Sequence, residues 1–240
     1  MFTRFTSNSD EYILTAGHCC SFPFNPSKVE IDIGQFDTMA TDKGEFRVLA
    51  KRIIPHEDYM IEENGVPRND ICLIQVPSLR KNAPKECEDC YASVCLPQLP
   101  TVAYPGRYCW IAGWGNTAVI NLQDPGRSGL TSYELHDVGV NIFSYDYCLN
   151  KTVYTEKYID KEKDICAGVP DWNNDGMADG GQDSCQGDSG GPLICAEDGE
   201  PVQVGIVSWG NGCAAQNSAG VYVNIYAYKE WIAEKTGLDY

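Results

Sequence analysis

Basic residues are scarce in this chain: 18 Lys and Arg stand against 34 Asp and Glu, for a formal charge of −16. Phosphate backbones and anionic membranes are bound through positive charge, so the balance excludes both as partners and favours cationic ones weakly. Long apolar runs are missing too. None reaches the roughly 20 residues of a membrane span, and residues 1–10 are too polar for a secretory signal. Internal repeats, heptads and low-complexity tracts are absent. Histidine is limited to 3 positions, His18, His56 and His136, which leaves few candidates for a general base.

Cysteine, by contrast, is abundant. Twelve cysteines among 240 residues, scattered instead of grouped in zinc-knuckle spacings, read as a disulfide framework built outside the reducing cytosol. A secreted, extracellular protein is therefore expected, with the upstream part of its precursor lying outside this sequence. Hydrophobic residues make up 43%, enough to bury a substantial core in one functional unit or two packed barrels.

Short β-rich runs recur at 12–16, 29–34, 46–54, 71–76, 108–113, 135–142, 203–209 and 220–224, separated by loops of Gly, Pro, Asn and Asp. Only the end reads as a helix, with Ile225, Tyr228, Trp231 and Ile232 on one face and Gly237 at the cap. Residues 115–132 are the expected connection between two halves. The pattern is all-β, with antiparallel barrels and a terminal helix.

Three segments carry chemistry. Gly187-Asp188-Ser189-Gly190-Gly191-Pro192 sets a serine among glycines, where the backbone turns sharply and a carbonyl can approach. A serine hydroxyl is a poor nucleophile until an imidazole takes its proton and a carboxylate fixes that imidazole's tautomer. Thr15-Ala16-Gly17-His18-Cys19 offers the imidazole and Asn69-Asp70-Ile71-Cys72-Leu73 the carboxylate. His56 and His136 lie in no such context.

With those segments, and with Gly113-Trp114-Gly115 and Ser208-Trp209-Gly210, the chain resembles the chymotrypsin and trypsin family from about Glu11 to the terminal helix. The resemblance implies two packed six-stranded antiparallel barrels, the first over about residues 1–114 and lacking its N-terminal strands, the second over about 133–240. It implies His18 as general base, Asp70 as its orienting partner, Ser189 as nucleophile, and the amides of Gly187 and Ser189 as oxyanion hole. Asp183, six residues before Ser189, falls at the floor of the specificity pocket. Ser208, Gly210 and Gly220 fall at its substrate-binding wall, where two glycines leave a slot for arginine or lysine. Protein or peptide substrates with Arg or Lys before the scissile bond, and protein protease inhibitors, are the expected partners of a monomer that requires no cofactor.

The family pattern pairs Cys109 with Cys195, Cys148 with Cys166, and Cys185 with Cys213. Cys20 and Cys72 each follow a triad residue by two positions; either the triad contact brings these thiols together, or Cys72 is a small core residue. Cys87, Cys90 and Cys95 are left unassigned, and Cys19 has no cysteine before it within residues 1–14 to take its usual bridge. Relatives become active when a new amino terminus pairs with the acid before the nucleophile, here Asp188. With no such terminus upstream of His18, Asp188 is expected to stand unpaired, swing out and displace the Gly187 amide.

Between Cys166 and Asp183 the chain is longer than typical trypsins. Asp171, Asn173, Asp175 and Asp179 alternate there around Gly176 like the ligands of a calcium loop, although Gln182 stands where a bidentate glutamate belongs. The competing expectation is a solvated Asn/Asp/Gly turn. Asn150-Lys151-Thr152 fits an N-glycosylation acceptor. Three functions share these residues: a general trypsin-like endopeptidase, a regulatory cascade protease with an upstream module, and a non-catalytic homologue that binds.

Overall fold

Runs rich in Val, Ile and aromatic residues become strands because their side chains fit a pleated, half-buried surface. The computed structural model describes residues 4–7, 10–21, 25–87, 90–100, 104–117 and 131–238. Most of the expected connection at 115–132 lies outside these residues.

In the first half, β1 (Arg4–Ser7), β2 (Asp10–Thr15), β8 (Cys72–Val76) and β5 (Arg52–Pro55) form a four-stranded sheet in that order. Beside it run two antiparallel ladders, β3 (Glu30–Ile33) with β4 (Phe46–Leu49), and β6 (Met60–Ile61) with β7 (Pro67–Arg68). The run expected as one strand over 46–54 breaks at Ala50 and Lys51, whose amides donate to Val29 and Gln75 respectively. Backbone pairing passes there from the β3 side to β8. Among the described residues the first half is thus an open sheet with satellites, not a six-stranded ring.

The second half does close. Strands β9 (Tyr108–Gly113), β10 (His136–Ile142), β11 (Asp164–Gly168), β12 (Pro192–Glu197), β13 (Glu200–Gly210) and β14 (Gly220–Asn224) form an antiparallel barrel in the order β10-β11-β14-β13-β12-β9. Asp198 and Gly199, with φ of 51° and 88°, make the tight turn between β12 and β13 that suits the strand twist. Cys109 faces Cys195 across the β9–β12 ladder, and the two are bridged with Cα atoms 4.4 Å apart.

Among the described residues the α-helices are α1 (Leu79–Asn82), α2 (Tyr145–Lys151) and α3 (Lys229–Thr236). Ser144 caps α2 by accepting from the Tyr147 amide. α3 ends as expected at Gly237, which takes φ 70° and donates its amide to Ala233. A buried cluster joins the halves, with Tyr12, Leu14, Ala16, Ile71 and Leu73 from the first packing on Ile206, Val223, Ile225, Tyr228 and Ile232 from the second.

Candidate active site

β2 delivers the chain to Gly17, after which a single 3₁₀ turn, His18–Cys20, carries the imidazole. A Cβ on Gly17 would lie 3.0 Å from the Ile71 amide and 3.2 Å from Asp70 Oδ1, so the close approach of the two segments requires glycine. Cys20 and Cys72 are bridged, Cα atoms 6.5 Å apart, which settles the alternative left open by the sequence. Asp70 is 2% exposed. Its carboxylate accepts from the His18 amide at 2.6 Å, from His18 Nδ1 at 2.8 Å and from Ser208 Oγ at 2.5 Å. These donors offset the desolvation of a buried charge. The hydrogen bond to Asp70, followed by one to Cys19, raises the His18 pKa well above its ordinary 6.5 against the effect of burial.

Gly187 and Gly190, with φ of 101° and 77°, form the turn that exposes Ser189. Gly190 packs so closely on Thr15 and Ala16 that any side chain there would overlap them, seating the turn against the strand before His18. The Cys19 thiol donates to the Ser189 carbonyl at 3.8 Å. Among the described residues Ser189 Oγ makes no hydrogen bond to His18, and the Gly187 and Ser189 amides donate to no acceptor.

Asp188 is partnered, which corrects the expectation from sequence. Its Oδ1 accepts from the Gly115 amide and its Oδ2 from the Cys185 amide, each at 2.9 Å, so the carboxylate is turned inward and the Gly187 amide is left free. Side chains on Gly113 or Gly115 would collide with it. A cavity of about 240 Å³ opens beside it, lined in part by Gly113, Gly115, His136, Asp183 and Asp188.

Asp183 accepts from the amides of Ser184 at 2.8 Å and Ala214 at 3.2 Å. Burial pushes its carboxyl up to about 6 while those amides oppose the rise. A Cβ on Gly220 would lie 2.5 Å from Asp183 Oδ1, so glycine there keeps the carboxylate uncovered. Gly210 has no neighbour nearer than 3.5 Å to such a Cβ and leaves an open wall. The bridges Cys185–Cys213 and Cys148–Cys166 hold the surrounding loops, with Cα separations of 5.2 and 6.1 Å. Cys87 pairs with Cys90, while Cys19 and Cys95 carry free, exposed thiols.

In the long loop, Asp179 accepts from the Trp172 and Asn173 amides and from Asn173 Nδ2. Asn173 and Asp175 cap the amides of Asp175 and Met177. Asp171 Oδ2 accepts from the Gly176 amide, and Lys151 Nζ stands 3.5 Å from it while donating to the Gly176 carbonyl at 2.9 Å. Asp171 Oδ1 is a buried side-chain oxygen with no hydrogen-bond partner among the described residues. Among the described residues no cluster of three or more His, Cys, Asp and Glu is arranged to hold a metal ion. Asn150, whose triplet fits a glycosylation acceptor, is exposed at the last turn of α2, and the Thr152 hydroxyl beside it is buried on the Cys148 carbonyl.

Sequence reasoning gave Ser208 a place in the pocket wall and missed its hydroxyl contact with Asp70. The two are 138 positions apart, and no local pattern carries such a pairing. Residues 5–232 match the Trypsin family model. Urokinase-type plasminogen activator of Gallus gallus is 33% identical over 228 residues, covering 92% of this chain and 48% of that protein. Tryptase of Mus musculus is 31% identical over 237 residues, covering 96% of this chain and 77% of that protein. The chain thus spans about half the length of the first relative. Joined to a closed six-stranded barrel and to His18 paired with a buried Asp70 near the Ser189 turn, these matches establish that the chain belongs to the trypsin family of serine proteases.

Proposed function

We propose that the protein is a secreted serine endopeptidase that hydrolyses peptide bonds after Arg or Lys. The observation that carries this reading is Asp70, a buried carboxylate that binds His18 Nδ1 and leaves the other ring nitrogen to act as a base. In the proposed reaction the Ser189 hydroxyl loses its proton to His18 as its oxygen bonds to the scissile carbonyl carbon. The resulting oxyanion is met by the free Gly187 and Ser189 amides. His18 then passes the proton to the leaving nitrogen, the C–N bond breaks, and water repeats the sequence on the acyl-enzyme.

Asp183 supports the choice of substrate. A largely enclosed carboxylate left uncovered by Gly220 favours a guanidinium or ammonium, and a neutral side chain there would leave it uncompensated. Asp188 suits a freed α-amino group entering the cavity beside it, which would lock the turn of Gly187 and Ser189. Lys151 supplies a tethered cation to the loop that precedes Asp183.

Labelling with an organophosphate, followed by peptide mapping, is expected to modify Ser189, and a panel of peptide amides is expected to rank Arg and Lys above Phe and Leu. An unlabelled protein would turn the reading toward a homologue that acts by binding. A preference for Phe or Leu would remove the role of Asp183. A second reading, a cascade protease carried on a longer precursor, draws on Cys95, whose exposed thiol is available to a cysteine of another segment. Mass analysis of the native protein before and after reduction tests it.

A further inference from the structure

The segment bearing Asp70 is gripped from outside its own half. Asn69, immediately before it, takes φ 50°, a left-handed conformation that non-glycine residues hold only when their surroundings enforce it. Its Nδ2 donates to the Asp58 carbonyl at 2.9 Å. Its Oδ1 accepts from Lys163 Nζ at 2.8 Å and from the Tyr228 hydroxyl at 3.1 Å, and both donors belong to the second half. Arg68, one residue earlier, reaches further. Its guanidinium donates to the carbonyls of Tyr158 at 3.1 Å and Lys157 at 3.2 Å, and to Asp164 Oδ2 at 3.2 Å. On the remaining side it pairs with Glu62 at 3.1 Å. The Arg68 and Asp164 side chains are only 18% and 12% exposed, and Asp164 is fixed in turn by the Asp160 amide at 2.8 Å.

We propose that Arg68 and Asp164 are positioning residues for the hydrolysis, clamping the chain beside Asp70 to the second barrel so that Asp70 holds the His18 imidazole at the Ser189 turn. The proposal rests on the reading of His18, Asp70 and Ser189 as the triad. The fork of a guanidinium fixes direction as well as distance, and here it does so two residues from the carboxylate that aligns the base. Displacing a reacting group by about 1 Å costs on the order of 10²-fold in rate. Ser208, also in the second half, reaches Asp70 itself. Both ends of the Asp70 environment are therefore referred to the barrel that carries the nucleophile.

The test compares full-length wild type with Arg68→Gln, Arg68→Lys, Asp164→Asn and the Arg68→Gln/Asp164→Asn double variant, reading kcat and KM on one Arg peptide amide per organophosphate-titrated site. The clamp predicts kcat lower by about 10- to 100-fold with KM within about twofold, partial recovery in Arg68→Lys, and a double variant no worse than Arg68→Gln, because the two residues act as one unit. Asp164→Asn keeps the shape of the site and serves where Arg68→Gln does not fold. Wild-type kcat per titrated site in the single variants would overturn the proposal, as would equal changes in kcat and KM. Failure of the wild type itself to take the organophosphate would overturn the triad reading on which the clamp depends.

Discussion

The six strands of the second half close on themselves, so each has two hydrogen-bonded neighbours, whereas the described four-stranded sheet of the first half ends at β1 and β5. The ring carries Ser189, the Gly187 turn and Asp183 on the connection from β11 to β12, two strands anchored on opposite sides of the β13–β14 pair. The open half carries His18 and Asp70, and borrows its rigidity from the Cys20–Cys72 bridge, the shared core, the Ser208 hydroxyl and the Arg68 contacts. A site assembled this way divides its labour: the frame that holds the pocket is self-sufficient, and the frame that holds the base depends on the other.

That division is broken most directly by replacing one carboxylate from each half. Asp70→Asn should lower kcat by about 10⁴-fold with little change in KM, since it leaves the pocket intact. Asp183→Ser should instead weaken selection for Arg over neutral residues by about 2–5 kcal/mol, roughly 30- to 5,000-fold in relative kcat/KM. Steady-state kinetics on Arg and Leu peptide amides separate the two, and similar changes in both variants would dissolve the distinction.

Removing bridges is the next largest perturbation. Cys20→Ala/Cys72→Ala should cost about 3–4 kcal/mol in denaturant unfolding and depress activity, because both residues sit two positions from the site. The Cys109–Cys195 bridge spans 86 residues against 52, so chain entropy alone would make its loss at least as costly. The closed ring already holds those two residues opposite each other, and we expect the smaller effect there. The reverse order would show that the first half is not the dependent one.

Titration sharpens the comparison at smaller amplitude. Binding of a cation in the pocket favours ionised Asp183, whose carboxyl is raised to about 6. Inhibition by an amidine should therefore weaken about tenfold per unit as pH falls below that value. His18 responds in the other half: because its pKa is raised, the neutral base accumulates only at higher pH, so kcat/KM should climb through a midpoint above 6.5. The same shift adds to stability below 6.5, and that contribution is lost as pH rises through the folded-state value. Asp70→Asn should move the kinetic midpoint down. The smallest effect concerns the loop: a strong chelator should leave the thermal midpoint within about 1 °C, and Lys151→Met should cost no more than about 1 kcal/mol, or roughly 2–4 °C.

Local patterns made much of this legible. Glycines flanking Ser189, the tripeptides around His18 and Asp70, and the Gly237 cap each express a backbone demand within a few residues. β11 and β12 escaped notice because they are short and interrupted by cysteine and alanine, and α2 because seven residues give barely two turns of periodicity. The open first sheet was anticipated only as missing strands. The contacts of Asp70 with Ser208, of Arg68 with Asp164 and of Asn69 with Tyr228 were invisible because they span 138, 96 and 159 positions. Asp188 was misread for a related reason: its amide partner on Gly115 lies 73 residues away.

The last helix packs, through Ile232 and the Tyr228 that precedes it, against the strand before His18 and the strand after Asp70. During synthesis these residues leave the ribosome only after His18, Asp70 and Ser189 have been made. Strand β14, which closes the ring, lies just before this helix, so the ring and the wall of the base-bearing half are both completed after the nucleophile turn. The order in which the residues are joined thus delays completion of the site until residues 220–236 have emerged, a safeguard for a polypeptide whose own arginines and lysines are what the proposed enzyme would cut.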